Sequence, residues 1–81
     1  MDENQIREAI FAVLKGIAPE LDPAAIEPDR PLRDQVDLDS MDFLNFILGL
    51  HKKLGVNIPE ADYRKLFTLE DITAYLRGRL C

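Results

Sequence analysis

The sequence is poor in the residues that build disulfides, metal centres and redox sites. It holds one cysteine, Cys81, and one histidine, His51, in 81 residues. An internal disulfide needs two cysteines, and a structural zinc site needs several Cys or His side chains. We therefore expect no disulfide and no bound metal, and we take Cys81 to be incidental.

Positive charge and long apolar runs are also scarce. Ten Lys and Arg residues stand against 15 Asp and Glu residues, so the net charge is −5 and no basic surface for nucleic acid is expected. No apolar run approaches the ~20 residues that cross a bilayer, and the acidic N-terminus is unlike a signal peptide. We expect a cytoplasmic monomer without nucleic-acid or membrane partners, whose protein partners carry basic surfaces.

The acidic residues are concentrated in one stretch of the chain. Residues 18–42 hold eight acidic side chains and two basic ones, whereas residues 43–81 hold four acidic and six basic ones. Ser40 belongs to the first stretch. The folded molecule should therefore have an acidic end that contains Ser40.

Helical periodicity predicts an all-α fold. Apolar residues at helical spacing predict an amphipathic helix over about residues 4–16, and a proline-free segment predicts a second helix over residues 40–54, ending at Gly55. A short helix is expected over residues 61–66, and Thr68 with Asp71 marks the start of a last helix. We predict one domain over residues 1–81, a four-helix bundle whose third helix is short.

A long connection separates the first two helices. Four prolines interrupt residues 18–39, and a connection of this length in so small a domain is more often functional than idle. Its isolated apolar residues should hold it against the helices: Leu21, Ile26, Leu32, Val36 and Leu38.

The second predicted helix has two apolar stripes. One stripe suits burial in a helical bundle and consists of Phe43, Phe46, Ile47, Leu50 and Leu54. Met41, Leu44 and Leu48 form the other. Either the helix is central and buried on most sides, or this second stripe is exposed beside Ser40 and docks on partner proteins. Solvent exposure of Met41 and Leu48 decides between the two.

Ser40 has three interpretations from its surroundings alone. Asp39 and Ser40 are both good helix N-cap residues, and a cap needs no further function. A catalytic serine needs a base within reach, but His51 stands eleven residues along the same helix, or ~16 Å away. The acidic segment that starts at Asp37 does not fit a calcium-binding loop either, because such a loop needs Gly at the position of Asp42 and Glu at the position of Leu48. An attachment point for a group that the protein carries is the third interpretation.

The segment Asp39-Ser40-Met41 resembles the prosthetic-group site of acyl carrier proteins, where the family motif is Asp-Ser-Leu. The resemblance covers nearly the whole chain: the first amphipathic helix, the acidic loop, the stretch Gly55-Val56-Asn57-Ile58-Pro59, a short third helix and a final helix. It implies that a phosphopantetheinyl transferase attaches 4'-phosphopantetheine to Ser40. The arm then holds acyl groups as thioesters, and the protein itself is not an enzyme.

The resemblance also implies roles for residues around Ser40. Asp39 and Asp42 correspond to positions that meet basic patches on the transferase and on acyl-loading and acyl-transferring enzymes, and Met41, Leu44 and Leu48 would complete that partner surface. Phe46, Ile47 and Leu50, facing Ile10, Val13 and Leu76, would admit an acyl chain between the helices. Without a chain, the same residues are ordinary core.

The sequence departs from carriers of primary fatty acid synthesis, whose second helix is acidic along its length. Here Asn45, His51, Lys52 and Lys53 stand where further acids are expected. This predicts a specialised carrier for lipid or polyketide-type biosynthesis. Two alternatives stay open: a peptidyl or aminoacyl carrier, and a helical interaction module in which Ser40 is only an N-cap.

Overall fold

A computed structural model describes residues 2–80 and contains three long helices. The helical segments in chain order are α1 (Glu3–Ile17), a 3₁₀ turn (Pro23–Ala25), α2 (Leu32–Gln35), α3 (Ser40–Leu54), a 3₁₀ helix (Glu60–Lys65) and α4 (Leu69–Leu80). Over these residues the only β-type pairing is an isolated bridge between Pro31 and Thr68. The predicted all-α fold is confirmed, and the short helix predicted over residues 61–66 corresponds to the 3₁₀ helix Glu60–Lys65.

Local hydrogen bonds at the helix ends explain where the long helices start and stop. Thr68 and Asp71 bond each other's backbone N–H groups at the start of α4, as a capping box requires. The α3 helix ends at Gly55, whose φ of 67° lies in the left-handed region that glycine enters without strain. The bounds of α3 agree with the prediction from the sequence.

The core lies where α1, α3 and α4 meet. Ile6, Ile10 and Leu14 of α1 are fully buried, as are Phe46 and Leu50 of α3. Helices α1 and α3 approach closely at Gly49, where an added Cβ would come within 2.5 Å of Val13 Cγ1. The lack of a side chain at Gly49 therefore allows α3 to lie this close to α1.

The long connection between α1 and α3 is held against the bundle. Ile26, Leu32, Val36 and Leu38 are buried in the same hydrophobic cluster, and Leu21 packs against it, which confirms the expectation from the sequence. The one-turn helix α2 and the 3₁₀ turn were not predicted. Each is too short to show a periodic pattern.

Backbone hydrogen bonds reinforce the connection. The Leu32 N–H donates to the Phe67 carbonyl at 3.0 Å, and the Glu70 N–H donates to the Pro28 carbonyl at 3.0 Å. The side chain of Gln35 donates to the Glu27 carbonyl at 2.8 Å and accepts from the Glu27 N–H at 2.6 Å. The segment that leads into Ser40 is therefore tied both to itself and to the start of α4.

A polar cluster joins the second 3₁₀ helix to α4. The Asp62 carboxylate accepts from the Tyr75 hydroxyl at 2.6 Å and from Arg79 at 2.9 Å, and Lys65 lies 3.4 Å away. The hydrogen bond from Tyr75, reinforced by Lys65 and Arg79, lowers the pKa of Asp62 below its ordinary value. Burial and the same hydrogen bond raise the pKa of Tyr75. The cluster holds the 3₁₀ helix in place.

Among residues 2–80, no helix has the length and apolar character needed to span a bilayer. Across the same residues, no group of three or more His, Cys, Asp or Glu side chains is arranged to hold a metal ion. Cys81 lies outside the described residues.

Candidate functional site: Ser40 and the cavity beside it

Ser40 is the first residue of α3, and Asp39 is the residue that caps this helix. The Asp39 carboxylate accepts from the Asp42 N–H at 2.8 Å, as an N-cap side chain does. The interpretation of Ser40 as the cap is therefore wrong. Its side chain is exposed, and its hydroxyl makes no hydrogen bond to any residue that the structure describes.

Ser40 is also the only serine in the sequence. The two threonine hydroxyls are already engaged: Thr68 accepts from the Asp71 N–H at 3.0 Å, and buried Thr73 donates to the Leu69 carbonyl at 2.8 Å. Ser40 thus offers the one exposed aliphatic hydroxyl that is not hydrogen-bonded within the described part of the chain. The sequence alone could have supplied half of this signal, since it contains a single serine.

The single histidine, His51, is too far from Ser40 to activate it as a nucleophile. His51 lies at the opposite end of α3, where its Nδ1 is 2.8 Å from the Val56 carbonyl oxygen. A carbonyl only accepts, so Nδ1 carries the proton in this contact and His51 fastens the chain that follows α3. The geometry suits Ser40 as an attachment point, with the positive end of the α3 dipole beside it.

The second apolar stripe of α3 faces solvent. Met41 is 66% exposed, Leu44 39% and Leu48 48%, whereas Phe46 and Leu50 on the opposite side are fully buried. The alternative in which α3 is buried on most sides is therefore wrong. We call Met41, Leu44 and Leu48 the exposed strip of α3.

Charges differ between the two ends of α3. Asp39 is exposed and Asp42 half-buried at the start of the helix, beside Ser40. At the far end His51, Lys52 and Lys53 are all exposed. A partner that approaches along the exposed strip therefore meets negative charge near Ser40 and the positive charge of Lys52 and Lys53 twelve to thirteen residues later.

The residues expected to admit an acyl chain lie inside the core. Phe46 and Leu50 are fully buried and Ile47 is 3% exposed, in one cluster with Ile10 and Leu76. Val13 packs against the edge of that cluster. These residues are thus part of the buried core, and their role in holding an acyl chain stays a prediction.

A cavity of about 480 Å³ opens beside Ser40, between the start of α3 and the second 3₁₀ helix. We call it the Ser40 cavity. Three aromatic rings line it: Phe43 meets Tyr63 edge to face with ring centroids 6.1 Å apart, and Phe67 adds a ring that is 62% exposed. Leu44 of the exposed strip borders it. Its volume lies within the range of small-molecule sites.

Two arginines also line the Ser40 cavity, Arg33 from α2 and Arg64 from the second 3₁₀ helix. The Arg33 guanidinium lies 5.6 Å from the centre of the Phe43 ring, and its Nε donates to the Leu38 carbonyl at 3.2 Å. Neither arginine nor the Phe67 ring was identified as a site residue from the sequence. Arg33 comes from one segment of the chain and Arg64 and Phe67 from another, and only the folded chain places them together.

Comparison with known proteins agrees with the geometry. The family model described as the phosphopantetheine attachment site matches residues 5–76. Acyl carrier proteins of Myxococcus xanthus (31% identical, 89% of this chain and 95% of the relative) and Thermotoga maritima (30% identical, 91% and 95%) are similar to it. So is the meromycolate extension acyl carrier protein of Mycolicibacterium smegmatis (31% identical, 88% and 75%). The chain belongs to the acyl carrier protein family, whose members are not enzymes: they carry 4'-phosphopantetheine and work with a phosphopantetheinyl transferase and biosynthetic enzymes.

Proposed function

We propose that Ser40 carries the 4'-phosphopantetheine arm and that the protein presents acyl thioesters on it to partner enzymes. One observation supports this most directly: Ser40 is the only exposed, unengaged aliphatic hydroxyl in the described chain, and it opens a long helix. A phosphodiester at that position is favoured by unpaired backbone N–H groups and by the helix dipole.

The residues around Ser40 suit the group. The Asp39 side chain satisfies the Asp42 N–H, so α3 stays capped without using the Ser40 hydroxyl. When bound, the arm supplies a thiol on which acyl groups are held as thioesters. The chain contributes the Ser40 oxygen, the helix start beside it and an open approach for the transferase.

Loading with coenzyme A and a broad-specificity phosphopantetheinyl transferase tests this proposal. Intact-mass spectrometry should show the wild-type chain gaining one phosphopantetheine and Ser40→Ala gaining none. Asn45→Ala, an exposed change on the same helix, is the matched control and should load like the wild type. If Ser40→Ala loads as well as the wild type, Ser40 is not the attachment point.

We also propose that the carrier serves specialised lipid or polyketide-type biosynthesis. The support is the charge change along α3, from Asp39 and Asp42 to Lys52 and Lys53, because a partner that reads acids along the whole helix would meet repulsion at its end. The relatives include a carrier named for meromycolate extension as well as others named simply acyl carrier protein. Replacing the general carrier by this one in a reconstituted fatty acid synthase should give little product, and full activity would contradict the proposal.

For partner recognition we propose the acidic start of α3 together with its exposed strip. Asp39 and Asp42 would speed encounter with basic surfaces, and Met41, Leu44 and Leu48 would be covered in the complex. This division of roles suits a carrier that must leave its partner quickly.

Insertion of an acyl chain among Phe46, Ile47 and Leu50 stays a prediction. It would require α3 to move from its neighbours, because these side chains are buried and close-packed. We further propose that residues 1–81 act as one carrier domain, which is supported by a single hydrophobic cluster with members from α1, α3 and α4.

A further inference from the structure

We propose that the Ser40 cavity binds an anionic group carried on the arm, with the guanidinium groups of Arg33 and Arg64 as its donors. The inference rests on the proposed attachment at Ser40. It adds a binding site for the arm or its cargo at the molecular surface, separate from the core residues Phe46, Ile47 and Leu50.

Arg33 and Arg64 differ from neighbouring basic residues, which form ion pairs with carboxylates. Arg30 pairs with Glu27 at 2.9 Å, and Lys65 pairs with Asp62 at 3.4 Å. Arg33 and Arg64 line the cavity instead, and among residues 2–80 no carboxylate lies within 4.0 Å of either guanidinium. This holds although residues 18–42 carry eight acidic side chains. The positive charge of each cavity arginine is therefore not paired with a described carboxylate, and its N–H donors can bind an anionic ligand.

Arg33 is also held in a fixed position. Its Nε–H bond to the Leu38 carbonyl and its place over the Phe43 ring restrain the guanidinium, while both terminal nitrogens keep their N–H donors. A guanidinium offers paired donors that match the oxygens of a carboxylate or a phosphate. The restraint lowers the entropy cost of binding such a group.

The aromatic walls of the cavity suit the rest of the arm. Phe67 and Leu44 are both exposed at its border, and an apolar stem lying along the cavity would cover them. Ser40 itself lines the cavity, so a group attached to its hydroxyl can lie in the cavity at the protein surface. A neutral straight-chain cargo would use these walls but not the arginines.

Two anions on the arm could supply the oxygens: the phosphodiester next to Ser40, or a carboxylate at the far end of a dicarboxylic cargo. NMR of the arginine Nε–H groups distinguishes them in four forms of the protein: unmodified, phosphopantetheinylated, butyryl-loaded and succinyl-loaded. Mass spectrometry confirms loading of each sample before measurement.

The expected result is a change in the Arg33 and Arg64 signals, with the signals of Arg77 unchanged. A change already complete in the phosphopantetheinylated form identifies the phosphodiester as the ligand. A further change in the succinyl form that is absent from the butyryl form identifies a cargo carboxylate. Either result supports the site.

Substitution of Arg64 tests whether its guanidinium, and not the rest of the cavity, binds the anionic group. Arg64→Gln should at least halve the loading-induced amide shifts of Leu44 and Phe67. Arg77→Gln is the matched control because Arg77 is also exposed, lies within 4.0 Å of no described carboxylate and does not line the cavity. Arg33→Gln is less suitable, since it would also remove the bond to Leu38.

Fully loaded protein whose Arg33 and Arg64 signals match those of the unmodified protein would overturn the inference and leave the proposed attachment intact. Failure of every transferase to load the chain would overturn the attachment and the cavity site together. The mass measurement tells these two failures apart.

Discussion

At the scale of single residues, Gly49 controls how closely α3 approaches α1. An alanine there would bring Cβ within 2.5 Å of Val13 Cγ1, and valine is stiff about χ1 in a helix, so the backbone must shift. Gly49→Ala should lower the free energy of unfolding by about 1–3 kcal/mol, measured by urea denaturation.

Gly78→Ala is the matched control for this change. Gly78 also sits in a helix, and apart from its chain neighbours and the adjoining helix backbone, no described atom lies within 4 Å of a Cβ added there. Alanine there should stabilise the protein by up to about 1 kcal/mol through helix propensity. Equal effects of the two variants would show that Gly49 is not a close contact.

Asp62 should give the stability of the protein a pH dependence. Its pKa is lowered in the folded chain, chiefly by the hydrogen bond from Tyr75, so the ionised carboxylate stabilises the fold above its unfolded pKa of about 4. That stabilisation is lost as the pH falls through the lower folded value. We expect the Tm of Asp62→Asn to lie several degrees below that of the wild type at pH 7, with the gap closing below about pH 4.

Tyr75→Phe provides the control for the Asp62 cluster. It removes the hydrogen-bond donor that contributes most to the lowered pKa of Asp62. The Tm gap between Tyr75→Phe and the wild type should therefore also shrink at low pH, by less than the gap for Asp62→Asn. A Tm gap between Asp62→Asn and the wild type that is constant from pH 7 to about pH 3 would contradict the role assigned to the carboxylate.

The sequence alone could not show whether Asp39 or Ser40 caps the start of α3. Asp39 and Ser40 are both favourable N-cap residues, so propensity does not choose between them. The backbone does: Asp39 is extended with ψ of −177°, and its carboxylate reaches the Asp42 N–H. Ser40 is left as the first helical residue with its hydroxyl unused.

At the scale of helices, α3 divides its apolar residues between packing and solvent. Leu48→Gln alters the exposed strip and should change the free energy of unfolding by no more than about 0.5 kcal/mol. We expect it to slow the transfer of phosphopantetheine to Ser40 about fivefold, from a loss of ~1 kcal/mol in the complex with the transferase.

Ile47→Ala is the contrasting variant on the same helix. Ile47 is buried, so this change should lower the free energy of unfolding by about 2–5 kcal/mol. Below its unfolding temperature, transfer to Ser40 should change less than in Leu48→Gln. If Leu48→Gln leaves the transfer rate unchanged, the exposed strip does not contact the transferase.

The helices differ in how far the sequence could predict them. The long helices α1, α3 and α4 show repeated apolar spacing and clear end signals, and for this reason their positions could be predicted. The helix α2 spans Leu32–Gln35 and depends on distant partners, including the Leu32 bond to Phe67. Contacts of that kind leave no local pattern, and the same is true of the Ser40 cavity, whose arginines come from two segments.

At the scale of the whole molecule, uneven charge should govern how fast partners arrive. Transfer of phosphopantetheine to the wild-type chain should slow several-fold between about 50 and 500 mM salt, because screening weakens attraction to a basic transferase surface. The double variant Asp39→Asn with Asp42→Asn should show a clearly weaker salt dependence. Asparagine is itself a good N-cap, so α3 should stay intact.

Glu60→Gln combined with Glu70→Gln removes the same number of charges far along the sequence from Ser40, from exposed positions. Its salt dependence should match that of the wild type. If both double variants reduce the salt dependence equally, net charge rather than the acidic end near Ser40 attracts the transferase.

The position of the prosthetic group is tested most directly by peptide mass spectrometry of the loaded protein. Trypsin should release residues 34–52, a peptide in which Ser40 is the only Ser, Thr or Tyr. We predict that this peptide alone gains the mass of one phosphopantetheine and that fragmentation places it on Ser40. The group found on any other peptide, or on another residue of this one, would contradict the assignment of Ser40.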